Sequence, residues 1–251
     1  MTFAINEVPN ASNRLPIVLC LDISPSMTLE NRMKNLNDAL RLFFSELKTD
    51  KKVYNAAEIT FVTFSTDVYA DKNFLTLDEA EKRTFTPVKE GGSQISKAVL
   101  KSIEILEERL SVYDDSDIDY YMPFLVLVTD GDPDSTDNTV TRDRAIASIH
   151  RHCELSGSQG NLIAPYIIGV GNDVTRGTLD KMAEKFTGEA IIVNGDVSKQ
   201  GQTFKELFAF ISKSVKNSLK GADDLKGLYA KMKKQASGKI IEIKEKNRGV
   251  M

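Results

Sequence analysis

Only two cysteines and two histidines occur in 251 residues. That excludes a disulfide scaffold, which needs many paired cysteines in a short chain. Cys20 lies inside a very apolar run and reads as a free buried thiol, a usage that fits a reducing compartment. Basic excess is also missing. The net charge of −3 argues against general nucleic-acid binding. No apolar run approaches the length of a bilayer span. The segment Met1–Arg14 lacks the charged-then-apolar pattern of a secretion signal. The expectation is a soluble, cytoplasmic protein with neither nucleic acid nor membrane as partner. Internal repeats and low-complexity tracts are absent too.

What is present is an ordinary globular composition, 41% hydrophobic and 27% charged. Five short runs are apolar almost throughout: Ile17–Leu21, Ile59–Phe64, Phe124–Val128, Leu162–Val170 and Ala190–Val193. Strands covered by helices on both faces read this way. Val68–Leu75 follows the second run after a short Thr66-Asp67 connection, which predicts an antiparallel edge strand. Between these runs the period becomes helical. Met33, Leu36, Leu40, Phe43, Phe44 and Leu47 make one stripe; Ile95, Val99, Ile103, Leu106 and Leu110 make another. Further stripes follow at Ala145–Cys153, Leu179–Phe186 and Phe204–Leu219. Strands alternating with amphipathic helices predict an α/β fold. Its sheet is doubly wound, six-stranded and mostly parallel, with order 3-2-1-4-5-6 and helices on both faces. The expected organisation is an N-terminal extension over 1–14, one domain over 15–219 and a basic tail over 220–251. That tail carries +5 against −8 for the rest. Within it Leu225–Met232 reads as a short helix and Lys239–Lys244 as a strand. The tail is read as a docking segment with solvated lysines, or as an arm for an acidic partner.

The first predicted strand runs into Asp22-Ile23-Ser24-Pro25-Ser26. A carboxylate and two hydroxyls at alternate positions can point to one side. Three hard oxygen donors suit a small hard cation such as Mg²⁺. The fourth strand runs into Thr129-Asp130-Gly131, which brings a second carboxylate to the same sheet edge. With this strand order, strands one and four are neighbours whose connections leave in opposite directions, and ligands bind at that switch point. Gly91-Gly92-Ser93, before the second long helix, adds a hydroxyl on a loop that can approach a ligand closely.

These three motifs in this order resemble the metal-ion-dependent adhesion site of von Willebrand factor A domains, over roughly Leu15 to Leu219. The resemblance implies Asp22, Ser24, Ser26, Ser93 and Asp130 as metal ligands, with Asp130 reaching the ion through water. It implies Mg²⁺, with Mn²⁺ or Ca²⁺ as alternatives, and a coordination position left for an Asp, Glu or phosphate of a protein partner. Two departures from the family pattern stand out. Ser93 takes the place of threonine, and Pro25 that of the glycine common between the two serines, which predicts a stiffer or differently bent loop. Thr129-Asp130-Gly131-Asp132-Pro133-Asp134 and the helix Phe204–Val215 resemble the bacterial tellurium-resistance-associated, TerY-like type. That type implies an adaptor in a stress-response or phosphorylation system, with a kinase or phosphatase of the same operon as partner.

Other signals carry less. Asp132, Asp134 and Asp137 read equally as a cation-attracting rim or as a polar turn. His150, Cys153 and Glu154 share a helix face while His152 points elsewhere. No second Cys/His pair completes a zinc site, so an ordinary half-buried face is expected. Gly169-Val170-Gly171-Asn172-Asp173 lacks the spacing of a dinucleotide fingerprint and reads as a tight turn. Asp114-Asp115-Ser116-Asp117 belongs at the opposite end of the sheet, as a solvated loop. An enzyme, specifically a phosphoryl-transfer hydrolase with Asp22 as nucleophile, would want a second carboxylate where Ser24 stands. A metal-free scaffold would have no reason to keep oxygen at all five positions. A non-enzymatic binding module is the expectation.

Overall fold

The structure is a computed structural model; it describes residues 13–131, 137–154, 162–171, 174–193 and 197–219, with 233, 234 and 238 beyond them. The elements are β1 (Leu15–Asp22), a 3-10 segment (Pro25–Asn31), α1 (Arg32–Lys48), α2 (Lys51–Ala56), β2 (Ala57–Phe64), β3 (Val68–Ala70) and α3 (Leu77–Ala80). There follow α4 (Ile95–Asp115), β4 (Phe124–Thr129), α5 (Thr139–Cys153), β5 (Ala164–Val170), α6 (Arg176–Ala183), β6 (Ile191–Val193) and α7 (Val197–Ser218). The six strands form one sheet in the order β3-β2-β1-β4-β5-β6. All neighbours are parallel except β2 and β3.

The sequence periodicities explain this arrangement. Every residue of β1 and β4 is buried, because helices cover both faces of the central strands. The α1 stripe (Met33, Leu36, Leu40, Phe43, Phe44, Leu47) is buried in full, as are the predicted stripes of α4 and α7. α1 and α7 lie together on one face, where Phe43 meets Phe208 edge-on at 5.6 Å between ring centroids. α4 packs across β1, β2 and β4 on the other face and against α5. Cys20 and Cys153 are free and buried; burial pushes the Cys20 thiol up to about 12, which keeps it protonated and inert.

One expectation needs correcting, and two features go beyond what the sequence shows. The edge strand is shorter than Val68–Leu75: only Val68–Ala70 pairs continuously, and Leu75 rejoins β2 through a single bridge to Ile59. Between them Lys72 and Asn73 are exposed, and the chain leaves the ladder to reach the capping box that starts α3. The short helices α2 and α3 were not legible, since six and four residues hold too little periodicity. His152 turns inward: its Nδ1 meets the Ser148 carbonyl at 2.8 Å and its Nε2 meets Glu107 of α4 at 3.1 Å. The His150 ring instead meets the Lys181 carbonyl. The side chains thus go to separate partners, and no group of three His, Cys, Asp or Glu that could hold a metal occurs among the described residues. No described helix is long and apolar enough to cross a membrane. The predicted helix Leu225–Met232, the strand Lys239–Lys244 and nearly all of 1–14 lie outside the described residues.

Candidate metal centre

The central strand β1 pairs with β2 on one side and β4 on the other, so the chain leaves it at the switch point of the sheet. Asp22 is its last residue, and Asp130 follows Thr129, the last residue of β4. Parallel pairing of Leu21 with Val128 brings both carboxylates to one edge. The third loop is fixed from β2. The Gln94 amide donates to the Ser65 carbonyl at 2.9 Å, and the Gly92 amide to Thr66 Oγ1 at 2.8 Å. Gly91 holds φ +141°, and a Cβ there would sit 2.8 Å from Thr66 Oγ1, so this turn admits little but glycine.

All five expected residues come together. Asp22 is fully buried, and both of its carboxylate oxygens accept hydrogen bonds. Oδ1 accepts from the Ser24 amide at 2.8 Å; Oδ2 accepts from Ser93 Oγ at 2.9 Å and Thr129 Oγ1 at 2.6 Å. Ser24 Oγ lies 3.0 Å from Ser26 Oγ, and Ser26 Oγ donates to Asp130 Oδ1 at 2.7 Å. Ser93, Asp22, Ser24, Ser26 and Asp130 therefore form one continuous chain of contacts across three loops. Burial pushes the Asp22 carboxyl up to about 6 and Asp130 adds to the rise; the bonds from Ser24 and Thr129 pull it back.

The donor set fits a small divalent cation. All five side chains offer oxygen, as a hard ion requires. Ligands at about 2.1 Å from an octahedral ion stand about 3 Å from their neighbours. The hydroxyl–hydroxyl and hydroxyl–carboxylate spacings here, 2.7 to 3.0 Å between Ser24, Ser26, Ser93 and their partners, are of that size. Pro25 does not spoil the loop. It occupies the first turn of the 3-10 segment, where its missing N–H is no loss, and buried Met27 anchors the turn to the core.

Two participants were missed by the sequence reading. Thr129 was read as part of a motif, yet its hydroxyl orients Asp22 directly. Arg32 was not singled out at all. Its guanidinium is buried and pairs with Asp130 Oδ2 at 2.9 Å. The only sequence signal was an arginine at the start of a helix whose neighbours Met33 and Leu36 face the core. Asp137 is neither rim nor open turn. It is buried and accepts from Ser96 Oγ at 2.7 Å and from the Ser96 amide at 3.4 Å, which places its carboxylate on the N-terminus of α4. The expectations for Asp132, Asp134, Asn172 and Asp173 fall outside the described residues.

The profile of the von Willebrand factor type A domain matches residues 17–209. Among solved structures, proximal thread matrix protein 1 from the mussel byssus, in a form with a zinc-occupied MIDAS motif, superposes with a TM-score of 0.55 at 14% identity. The match covers 82% of this chain and 47% of that one. The minor pilin PilB of Streptococcus sanguinis gives 0.52 at 15% identity over 84% of this chain and 64% of its own. BatB from Bacteroides thetaiotaomicron gives 0.51 at 16% over 82% of this chain and 100% of its own. At such identities the likeness is one of fold. The chain spans about half of the byssus protein and under two thirds of the pilin.

Proposed function

This chain belongs to the von Willebrand factor type A domain family, and from that premise we propose that it is a metal-dependent protein-binding module. Asp22, Ser24, Ser26, Ser93 and Asp130 hold one divalent cation, Mg²⁺ before Mn²⁺ or Ca²⁺. When bound, the ion supplies a Lewis-acidic position that takes an Asp, Glu or phosphate oxygen from the partner. The single observation behind this is the pair of oxygen runs at adjacent-ligand spacing, Ser93–Asp22 and Ser24–Ser26–Asp130, tied together across three loops by the Ser24 amide on Asp22. Support also comes from the byssus protein of the same fold, whose corresponding motif holds zinc.

In this reading the protein's own groups do the positioning. Thr129 and the Ser24 amide fix the Asp22 carboxylate, and Ser26 fixes one oxygen of Asp130. The two carboxylates leave a divalent ion short of ligands, so an anionic partner completes the shell. Favouring a non-catalytic role, Asp22 is buried with both oxygens engaged, which suits a ligand and not a nucleophile open to substrate. The narrower assignment is a cytoplasmic, TerY-like adaptor serving a kinase or phosphatase in a bacterial stress response. It rests on the Thr129–Asp134 motif and the final helix alone.

Isothermal titration tests the reading. Mg²⁺ or Mn²⁺ binds the wild-type chain at one site, and Asp22→Ala and Asp130→Ala lose that binding. An acidic peptide then binds the loaded protein and is released by chelator. Peptide binding that ignores chelator, or phosphatase turnover abolished by Asp22→Ala, overturns it.

A further inference from the structure

Asp130 is buried as Asp22 is, and its two oxygens have different partners. Oδ1 accepts from Ser26, within the proposed ligand chain. Oδ2 accepts from Arg32 Nη1 at 2.9 Å, and both side chains are almost wholly withdrawn from water, at 3% and 0% exposure. The other end of the guanidinium, Nη2, lies 3.4 Å from Glu30 Oε2. Arg32 is the first residue of α1, and the chain reaches it through a sharp kink. Leu29 is extended while Glu30 and Asn31 both adopt left-handed conformations, at φ 51° and 58°. Two consecutive non-glycine residues in that region persist only where the surroundings hold them. Here the buried Arg32–Asp130 pair is such a hold.

We propose that Arg32 is a built-in counter-ion of the site: it stabilises the fold when no metal is bound and holds metal affinity down. The proposal rests on the metal-binding reading above. Asp22 and Asp130 together carry two negative charges, and Arg32 returns one positive charge. A cation approaching Oδ1 of Asp130 therefore meets a carboxylate whose other oxygen already serves a cation. The two positive charges share one carboxylate in a poorly screened environment, where repulsion is strong. Without the ion, Arg32 prevents the uncompensated burial of Asp130, which is among the costlier arrangements in a protein interior. Removing the guanidinium acts on the two states in opposite senses, and both changes favour the ion. The ion-free protein loses stability and the loaded one loses a repulsion, so metal binding tightens.

The test compares wild type, Arg32→Met and Arg32→Lys by thermal unfolding in chelator and in Mg²⁺, with Mg²⁺ affinity from titration calorimetry. Arg32→Met is expected to melt on the order of 10 °C lower in chelator and to bind Mg²⁺ about tenfold tighter. Its Mg²⁺-induced rise in melting temperature is correspondingly larger than that of wild type. Arg32→Lys keeps the charge and stays near wild type in both. Should Arg32→Met be unfolded in chelator, recovery of its far-ultraviolet circular dichroism on adding Mg²⁺ is the same result in stronger form. A merely structural arginine would weaken stability and metal binding together. Equal or weaker Mg²⁺ binding in Arg32→Met, beside a wild type that binds, overturns the role of Arg32 alone. A wild type that binds no divalent ion overturns the metal reading and this one with it.

Discussion

Thr129→Val isolates one bond at the heart of the site. Valine reproduces the shape of threonine but not its hydroxyl, and Thr129 is fully buried. The hydroxyl donates to Asp22 Oδ2 at 2.6 Å and accepts weakly from the Gly131 amide at 3.3 Å. A hydrogen bond to a charged group contributes about 1.5–3 kcal/mol, and its loss leaves a buried carboxylate short of a donor. For a chain of this size each kcal/mol moves the melting temperature by about 2–4 °C, so a fall of about 3–12 °C is expected at pH 7.5 in chelator. The carboxylate also loses one of the groups that fix its direction, and groups that orient metal ligands typically account for about tenfold in affinity. The assay is differential scanning calorimetry with and without Mg²⁺, paired with Mg²⁺ titration. A melting temperature within about 1 °C of wild type, together with unchanged Mg²⁺ affinity, would refute the view that Thr129 orients Asp22.

Two further outcomes follow from the same geometry. The Asp22 carboxyl is raised by burial from 3.8 to about 6; between those values the ion-free folded chain keeps a proton that the unfolded chain has lost, so this group's contribution to stability falls as pH rises. Metal requires the carboxylate, so the Mg²⁺-induced rise in melting temperature should be small at pH 5 and complete by pH 7.5, and a rise equal at both would contradict the site. Asp137→Ala removes the carboxylate that serves the N-terminus of α4, where Gln94 makes no side-chain cap. A loss of about 1 kcal/mol in denaturant unfolding is expected, with Mg²⁺ binding weakened because Ser93 stands just before that helix; unchanged binding would separate the cap from the site.

The opposing answers of the chain to prediction have physical causes. The long stripes of α1, α4 and α7 were readable because a helix of several turns repeats its apolar face often enough to declare its period. The central strands were readable because burial on both faces leaves unbroken apolar runs. The common doubly wound order 3-2-1-4-5-6 supplied the strand order, and that order placed the ends of β1 and β4 side by side. Asp22, Ser24, Ser26, Ser93 and Asp130 were thus nameable in advance as candidates, from local motifs and topology together.

Arg32, Asp137 and the inward turn of His152 were not. Each is a charged or polar residue whose partner lies far along the chain: Asp130 for Arg32, Ser96 for Asp137, Glu107 for His152. Nothing in a local window distinguishes an arginine that snorkels to solvent from one that is buried against a carboxylate 98 residues away. The sequence alone determined the alternating α/β fold and which loops carry hard oxygens, because these depend on periodicity and spacing. Only the tertiary structure decided the charge balance of the site, because that depends on which buried groups face each other once the helices are laid on the sheet.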